Sequence, residues 1–309
     1  IKAGLRVRVC DIDPNTLSYD MEQLHSVDFG TVLAIVTANL YGLPNDLPKL
    51  ESLARQHGVF LIDDAAQSLN AQVNGRFSGT FGSAGLFSLD KGKNITAMQG
   101  GLIVTDLDTL ASALESREKS MTTGSAIAKE YVKLIAYYGF LPPLLYWIPA
   151  SMPFLQLGET HYEEDYPIGL MEPGLAPIAC DQMERLNEIT ERRTEVASWY
   201  QEALPRHPSI CPITAITGSQ PVYLRYPLRI LDPSIRGRFL VACSALGSTG
   251  SYPRPIPEIP EIVGKLSVQN NCYDNALAVS KEITTLPTHA FVTARDVQTI
   301  SAKLRDCLN

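Results

Sequence analysis

Lys93 stands in Phe87-Ser88-Leu89-Asp90-Lys91-Gly92-Lys93-Asn94-Ile95-Thr96-Ala97-Met98-Gln99-Gly100-Gly101, between a serine and a pair of glycines. Upstream, Asp63 and Asp64 close the apolar run Val59-Phe60-Leu61-Ile62 and are followed by Ala65-Ala66-Gln67-Ser68. A primary amine and a carboxylate are the groups needed to hold an electron-withdrawing heteroaromatic aldehyde. The amine forms an imine with the aldehyde, and it becomes a good nucleophile and base once its surroundings lower its pKa. The carboxylate keeps a ring nitrogen protonated, because a neighbouring opposite charge favours the charged form. Pyridoxal 5'-phosphate (PLP) is the cofactor whose chemistry asks for this pair. Ser88 offers a hydroxyl to a phosphate, and Gly100-Gly101 permit a tight turn into Leu102-Ile103-Val104. Each element alone has a plainer reading: a solvated lysine, a capping aspartate, a glycine turn. Their order along the chain carries the information.

The elements that must position these groups follow from hydrophobic periodicity. Residues 31–36 read as a buried strand, and 46–57 as a helix with leucines at 47, 50 and 53, ended by Gly58. Residues 59–62 form the next strand. This βαβ rhythm predicts an α/β fold with a mostly parallel sheet sandwiched by helices. Ligands of such sheets gather at the carboxyl edge of the strands, where Asp64 stands. From 171 to about 204 the pattern reads as one long helix after Pro173-Gly174, closing at Pro205. Beyond it, a strand over 222–230 and a helix over 294–308 suggest a smaller α+β C-terminal domain. The expected division is 1–190, a large cofactor-binding domain with an apolar insertion at about 126–160, and 191–309, a small domain.

Composition narrows the function classes. The chain has 309 residues, a net charge of −7 and 45% hydrophobic residues, ordinary for a globular protein. No Lys/Arg run is present, which argues against nucleic-acid binding. The six cysteines show no CxxC pair and the five histidines no metal-ligand spacing, so no disulfide framework and no metal site is expected. Residues 131–157 are strongly apolar, but Pro142, Pro143, Pro149 and Pro153 break any membrane-spanning helix. That segment reads as an insertion packed on the core or in a dimer interface; the sharper alternative is a weak contact with a membrane or a lipid-linked substrate. No signal peptide is apparent, and a cytoplasmic location is expected.

These segments together resemble the DegT/DnrJ/EryC1/StrS family of sugar aminotransferases, in the fold-type-I class of PLP-dependent enzymes. Further landmarks run nearly end to end: Ala3-Gly4-Leu5-Arg6-Val7-Arg8-Val9-Cys10-Asp11-Ile12-Asp13, Asn39-Leu40-Tyr41-Gly42-Leu43-Pro44, Gln182-Met183-Glu184-Arg185-Leu186 with Arg192-Arg193 and Trp199-Tyr200, Ser251-Tyr252-Pro253, and Leu286-Pro287-Thr288-His289. The resemblance implies that Lys93 forms the imine with PLP and Asp64 partners the pyridine nitrogen. It places Gln67 near the cofactor's phenolic oxygen, Ser88 at the phosphate and Ala66 under the ring. Lys91 is a rival for the imine, but Lys93-Asn94 fits the family's lysine–asparagine pair. Tyr252, Arg254 and His289 are substrate-side candidates.

The chain also departs from the family pattern. Asp63 stands where glutamate is usual and Leu89 where phenylalanine is usual. Ile168 and Leu170 occupy a stretch where many relatives have an asparagine and an arginine. The Gly/Ser/Thr turn that cradles phosphate at a helix N-terminus has no counterpart, so the sequence reads as lacking the family's N-terminal segment. The resemblance implies transfer of an amino group from an amino acid, glutamate or glutamine, to a keto sugar linked to a nucleotide, by a homodimer. Two alternatives stand beside it. One is a deoxysugar dehydratase, which in this superfamily replaces the lysine with histidine. The other is a catalytically silent scaffold or partner subunit.

Overall fold

The computed structural model describes residues 1–121, 127–140, 166, 168–267 and 272–309. The irregular N-terminal arm leads to a short helix α1 (Met21–His25), capped by Asp20 through the Gln23 N–H. Strand β1 (Ala34–Ala38) follows, then α2 (Leu47–His57), which buries Leu47, Leu50 and Leu53 and ends at Gly58 with φ 65°. Next come β2 (Phe60–Asp64), the hairpin β3 (Gln72–Val73) and β4 (Arg76–Phe77), then β5 (Ala84–Ser88) and β6 (Gly101–Val104). Their sheet has the order β1-β2-β5-β6; the first two pairings are parallel and the last is antiparallel. Helices α3 (Asp108–Glu118) and α4 (Ile127–Phe140) follow.

Where one helix over 171–204 is expected, there are two: α5 (Ala176–Glu184), entered through a 3-10 turn at Pro173–Leu175, and α6 (Leu186–Ala203). The break is Arg185 (φ −99°, ψ 7°), whose N–H has turned to the Gln182 carbonyl. The exit is as the sequence implies. Leu204 is extended (ψ 141°) because the residue before a proline avoids the helical region.

The C-terminal part comprises β7 (Ile210–Pro212), β8 (Ser219–Gln220), β9 (Tyr226–Ile230), α7 (Pro233–Cys243), β10 (Thr249–Gly250), α8 (Pro260–Val263), α9 (Asp274–Glu282), β11 (Ile283–Leu286) and α10 (Ala294–Leu308). The antiparallel sheet runs β10-β11-β9-β7, while β8 adds to β3. The expected strand over 222–230 starts only at Tyr226, because Tyr223 takes φ 44°.

Three apolar clusters hold these parts. Leu24, Phe29, Ile35, Leu50 and Leu61 pack the N-terminal sheet on α2. Tyr200, Leu228, Phe239, Leu286 and Ile300 fill the C-terminal core, which also takes in Tyr41 and Leu43 from the loop after β1. Leu89, Ile95 and Ala97, from the segment joining β5 and β6, pack on Leu175, Ala179 and Leu186. The N-terminal arm is tied to the far end of the chain: both carboxylate oxygens of buried Asp11 accept from the first turn of α9, from Asn275 N (3.0 Å) and Ala276 N (2.8 Å). Among the described residues, no helix is long and apolar enough to cross a membrane. Of the apolar segment 131–157, residues 131–140 lie on α4, with Val132 and Ile135 exposed; the remainder lies outside the described residues.

Candidate active site

Successive residues of a strand point to opposite faces of the sheet, and the two aspartates at the end of β2 are sorted by this rule. Asp63 is fully buried. It accepts from Asn39 Nδ2 (2.7 Å), Gly79 N (2.6 Å) and Thr37 Oγ1 (3.3 Å). Burial raises its pKa, and those donors partly offset the shift. Asp64 is only partly buried. Its Oδ1 accepts the Ala66 N–H (3.0 Å), and its other oxygen has no hydrogen bond among the described residues. Asp63 therefore anchors the loops, and Asp64 keeps a carboxylate oxygen available.

Lys93 follows β5, one strand over. Burial holds its pKa below the usual lysine value, against the opposing fields of Asp64 and Asp90. The sequence thus places amine and carboxylate within electrostatic reach. The segment carrying Lys93 is fixed from below and from the side. Leu89, Ile95 and Ala97 are buried, Asn94 Nδ2 donates to the Leu69 carbonyl (2.7 Å), and Gln182 on α5 clamps Thr96 by accepting its N–H (3.0 Å) and donating to its carbonyl (2.6 Å). Two neighbouring residues, Asp90 and Met98, form an isolated bridge across this segment. Rigid support of this kind keeps a reactive side chain in place.

The other expected residues fall around this pair. Gln67 Oε1 accepts the Tyr41 N–H (2.8 Å), and its Nε2 donates to the Tyr252 hydroxyl (2.6 Å). Tyr252, at φ 47°, has its pKa raised by burial, lowered by Gln67 and raised by Asp64. Asp64, Gln67, Lys93 and Tyr252 are therefore neighbours, although Tyr252 lies 185 residues from Gln67 in sequence. Ser88 ends β5 at the same sheet edge, and its Oγ accepts the Asp90 N–H (3.3 Å). Ala66 sits in the turn after β2. Arg254 is exposed, two residues beyond Tyr252. His289 packs edge-on to Phe291. More than a third of its surface is open, yet crowding by surrounding atoms, joined by the fields of Arg193 and Arg225, pushes its pKa down to about 4. The contacts bring neither Arg254 nor His289 onto Lys93.

Tyr41 is the site residue that sequence reasoning quoted without giving it a task. It takes φ 59°, presents its N–H to Gln67 and sets its ring 6.0 Å from that of Tyr252. The following Gly42 (φ 85°) explains the local sequence: a Cβ there would lie 2.7 Å from Leu224 N and 2.8 Å from Tyr223 N. Only glycine allows the loop after β1 to press against the C-terminal half while carrying Tyr41 to the site. The donor set fits PLP: an amine with a lowered pKa, a carboxylate with a free oxygen, and amide and hydroxyl groups along one sheet edge.

Comparison with known proteins bears on the chain as a whole. The DegT/DnrJ/EryC1/StrS aminotransferase family model matches residues 1–139 and 169–305. The chain is 27% identical over 301 residues to GDP-perosamine synthase of Caulobacter vibrioides, covering 96% of this chain and 72% of that protein. A shorter stretch of 103 residues is 40% identical to GDP-4-keto-6-deoxy-D-mannose 3-dehydratase of Escherichia coli O55:H7, covering 33% of this chain and 26% of that protein. Among solved structures, the aminotransferase TlmJ from Streptoalloteichus hindustanus is similar with a TM-score of 0.75 at 23% identity, covering 99% of this chain and 74% of that one. At that identity the likeness speaks for the fold, a mostly parallel α/β sheet with helices, as the sequence implies.

Proposed function

Because the chain belongs to the DegT/DnrJ/EryC1/StrS aminotransferase family, we propose that it works in PLP-dependent transfer of an amino group from an amino acid to a nucleotide-linked keto sugar. The observation that carries this reading is the placement of Lys93, with its lowered pKa, in the field of Asp64 at the carboxyl edge of the sheet. PLP, when bound, supplies the electron sink for the substrate carbanion. The residues of this chain supply the rest. Lys93 would hold PLP through its amine and would be the base that moves the proton of the amino donor's α-carbon. Asp64 holds a proton on the ring nitrogen with its free oxygen. Gln67 is oriented at both ends of its amide by Tyr41 and Tyr252, and keeps one Nε2 hydrogen for a phenolic oxygen. Ser88 accepts from Asp90 and so directs its own hydroxyl hydrogen to a phosphate. Ala66 leaves room for the ring, and Tyr252, hydrogen-bonded to Gln67, is the substrate-side candidate nearest this group.

The naming of a relative as a GDP-perosamine synthase supports a nucleotide sugar as acceptor. The 3-dehydratase likeness supports deoxysugar dehydration as the second reading, which Lys93 opposes. The test is PLP titration by visible absorbance, borohydride reduction and peptide mapping, followed by assays with glutamate or glutamine and keto-sugar nucleotides. An adduct on Lys93 with amino transfer is the expected result. An adduct on Lys91, or none in the folded protein, overturns the site; loss of a hydroxyl without amino transfer favours the dehydratase.

A further inference from the structure

Helix α4 is fastened to the protein along one side. Ile127 packs on Gly174, the Tyr131 hydroxyl donates to the Gly174 carbonyl (3.0 Å), and Glu130 and Leu134 are buried. The opposite side is open. Ala128, Val132, Ile135, Ala136 and Gly139 recur there at helical spacing, with Val132 67% and Ile135 71% exposed. A helix on the surface of a globular protein turns charged and polar residues to solvent. Here the open side is apolar, and its charges are confined to one border, where Lys129 and Lys133 stand. Lys133 is tied to Glu130 (2.8 Å), the one acid of α4, which is buried.

Two observations point to what covers this face. The first is composition. Within α4 begins a run of 24 residues, Leu134 to Leu157, that contains no Asp, Glu, Lys, Arg or His. Six of them are aromatic: Tyr137, Tyr138, Phe140, Tyr146, Trp147 and Phe154. Aromatic residues beside aliphatic ones are the composition of segments seated at a membrane–water boundary. The family match stops at residue 139 and resumes at 169, so most of this run lies outside what the chain shares with its family. The second observation is charge. Both exposed charges of α4 are cations, which anionic lipid headgroups complement. A second copy docked on the same face about a two-fold axis would bring the same lysines, and no exposed acid of α4 to meet them.

We propose that the open face of α4 seats the protein on a lipid bilayer, in the plane of the headgroups and without crossing it. Val132 and Ile135 enter the apolar boundary. Tyr131 and Tyr138, on one flank of the face, and Lys129, on the other, stay at headgroup level. This goes beyond the reaction proposed above, which requires no membrane.

The experiment is flotation of the full chain with vesicles of phosphatidylcholine, and of phosphatidylcholine mixed with phosphatidylglycerol. The wild-type chain should float with both, more strongly with the anionic mixture. The double variant Val132→Gln/Ile135→Gln should weaken binding to both at least about tenfold. Lys129→Gln should weaken binding to the anionic mixture severalfold and leave phosphatidylcholine binding unchanged. These side chains are exposed, so circular dichroism should show no loss of helix. Should the glutamine pair misfold, Val132→Ala/Ile135→Ala serves in its place, with a severalfold loss. Unchanged flotation of the folded double variant overturns the proposal. So does absence of flotation by the wild-type chain; a dimer seen by sizing in that case, and abolished by the double variant, would give the face to a second copy.

Discussion

The adjacent carboxylates of β2 should separate stability from cofactor binding. Asp63→Asn removes a buried charge that accepts from Asn39, Thr37 and Gly79. The carboxamide has one acceptor oxygen where the carboxylate had two, so one buried donor loses its partner. Stranding that donor and losing charge assistance costs about 3 kcal/mol. Burial raises the Asp63 pKa, so removing the charge returns a fraction of this, leaving a net loss of about 2 kcal/mol. Asp64→Asn keeps an oxygen for the Ala66 N–H, the one hydrogen bond of this side chain among the described residues, and should cost less than about 1 kcal/mol in stability. It cannot hold a ring nitrogen protonated, and losing that charged hydrogen bond should weaken PLP binding by about 10- to 100-fold. Urea unfolding monitored by fluorescence measures the first quantity and PLP titration by absorbance the second. If Asp64→Asn were the more destabilising variant, or Asp63→Asn stayed fully stable yet lost PLP, the assignment by strand alternation would be refuted.

Three further outcomes are expected. Lys93 has a folded-state pKa below that of an unfolded lysine, so between the two values the folded protein binds fewer protons and stability rises with pH. Acylation of Lys93, followed by peptide mapping, should have its midpoint below that of an ordinary lysine, and Asp64→Asn should lower it further by removing an opposing field. His289 should titrate near pH 4 in a histidine NMR experiment, and Arg193→Gln should move that midpoint upward. Below pH 6.5 the unfolded chain takes up the proton first, so stability falls as pH drops toward 4. Gly42→Ala forces a Cβ onto backbone at 2.7 Å with φ 85° and should cost about 3 kcal/mol in thermal or urea unfolding.

What the sequence made legible is local. Helix α2 ends where Gly58 marks it, and α10 spans the expected 294–308. Lys93 and Asp64 stand out as candidates because each sits a few residues from a strand end whose composition is plain, whereas Gln67 enters only through the family resemblance. The neighbours of these residues were another matter. The Gln67–Tyr252 bond and the Tyr41 contribution depend on how the C-terminal sheet closes over the loop after β1, and periodicity holds no record of that closure. The break at Arg185 likewise escaped, because the residues around it have good helix propensity and tertiary packing set the angle between α5 and α6. Arg193 entered only as part of the Arg192-Arg193 landmark. Its partners Leu224 and Thr288 approach from 31 and 95 residues away.

Asp11 links the beginning of the chain to α9 across 264 residues. This has a consequence for the order of assembly. Helix α9 leaves its first N–H groups unsatisfied until an acceptor arrives, and that acceptor lies far from it in sequence. Closing so long a loop adds only modest entropy per doubling of length, yet contacts of such separation form slowly. The bonds from Asn275 and Ala276 to Asp11 therefore belong to the late contacts of folding. Where they open, the segment around Asp11 and the first turn of α9 should lose hydrogen-exchange protection together.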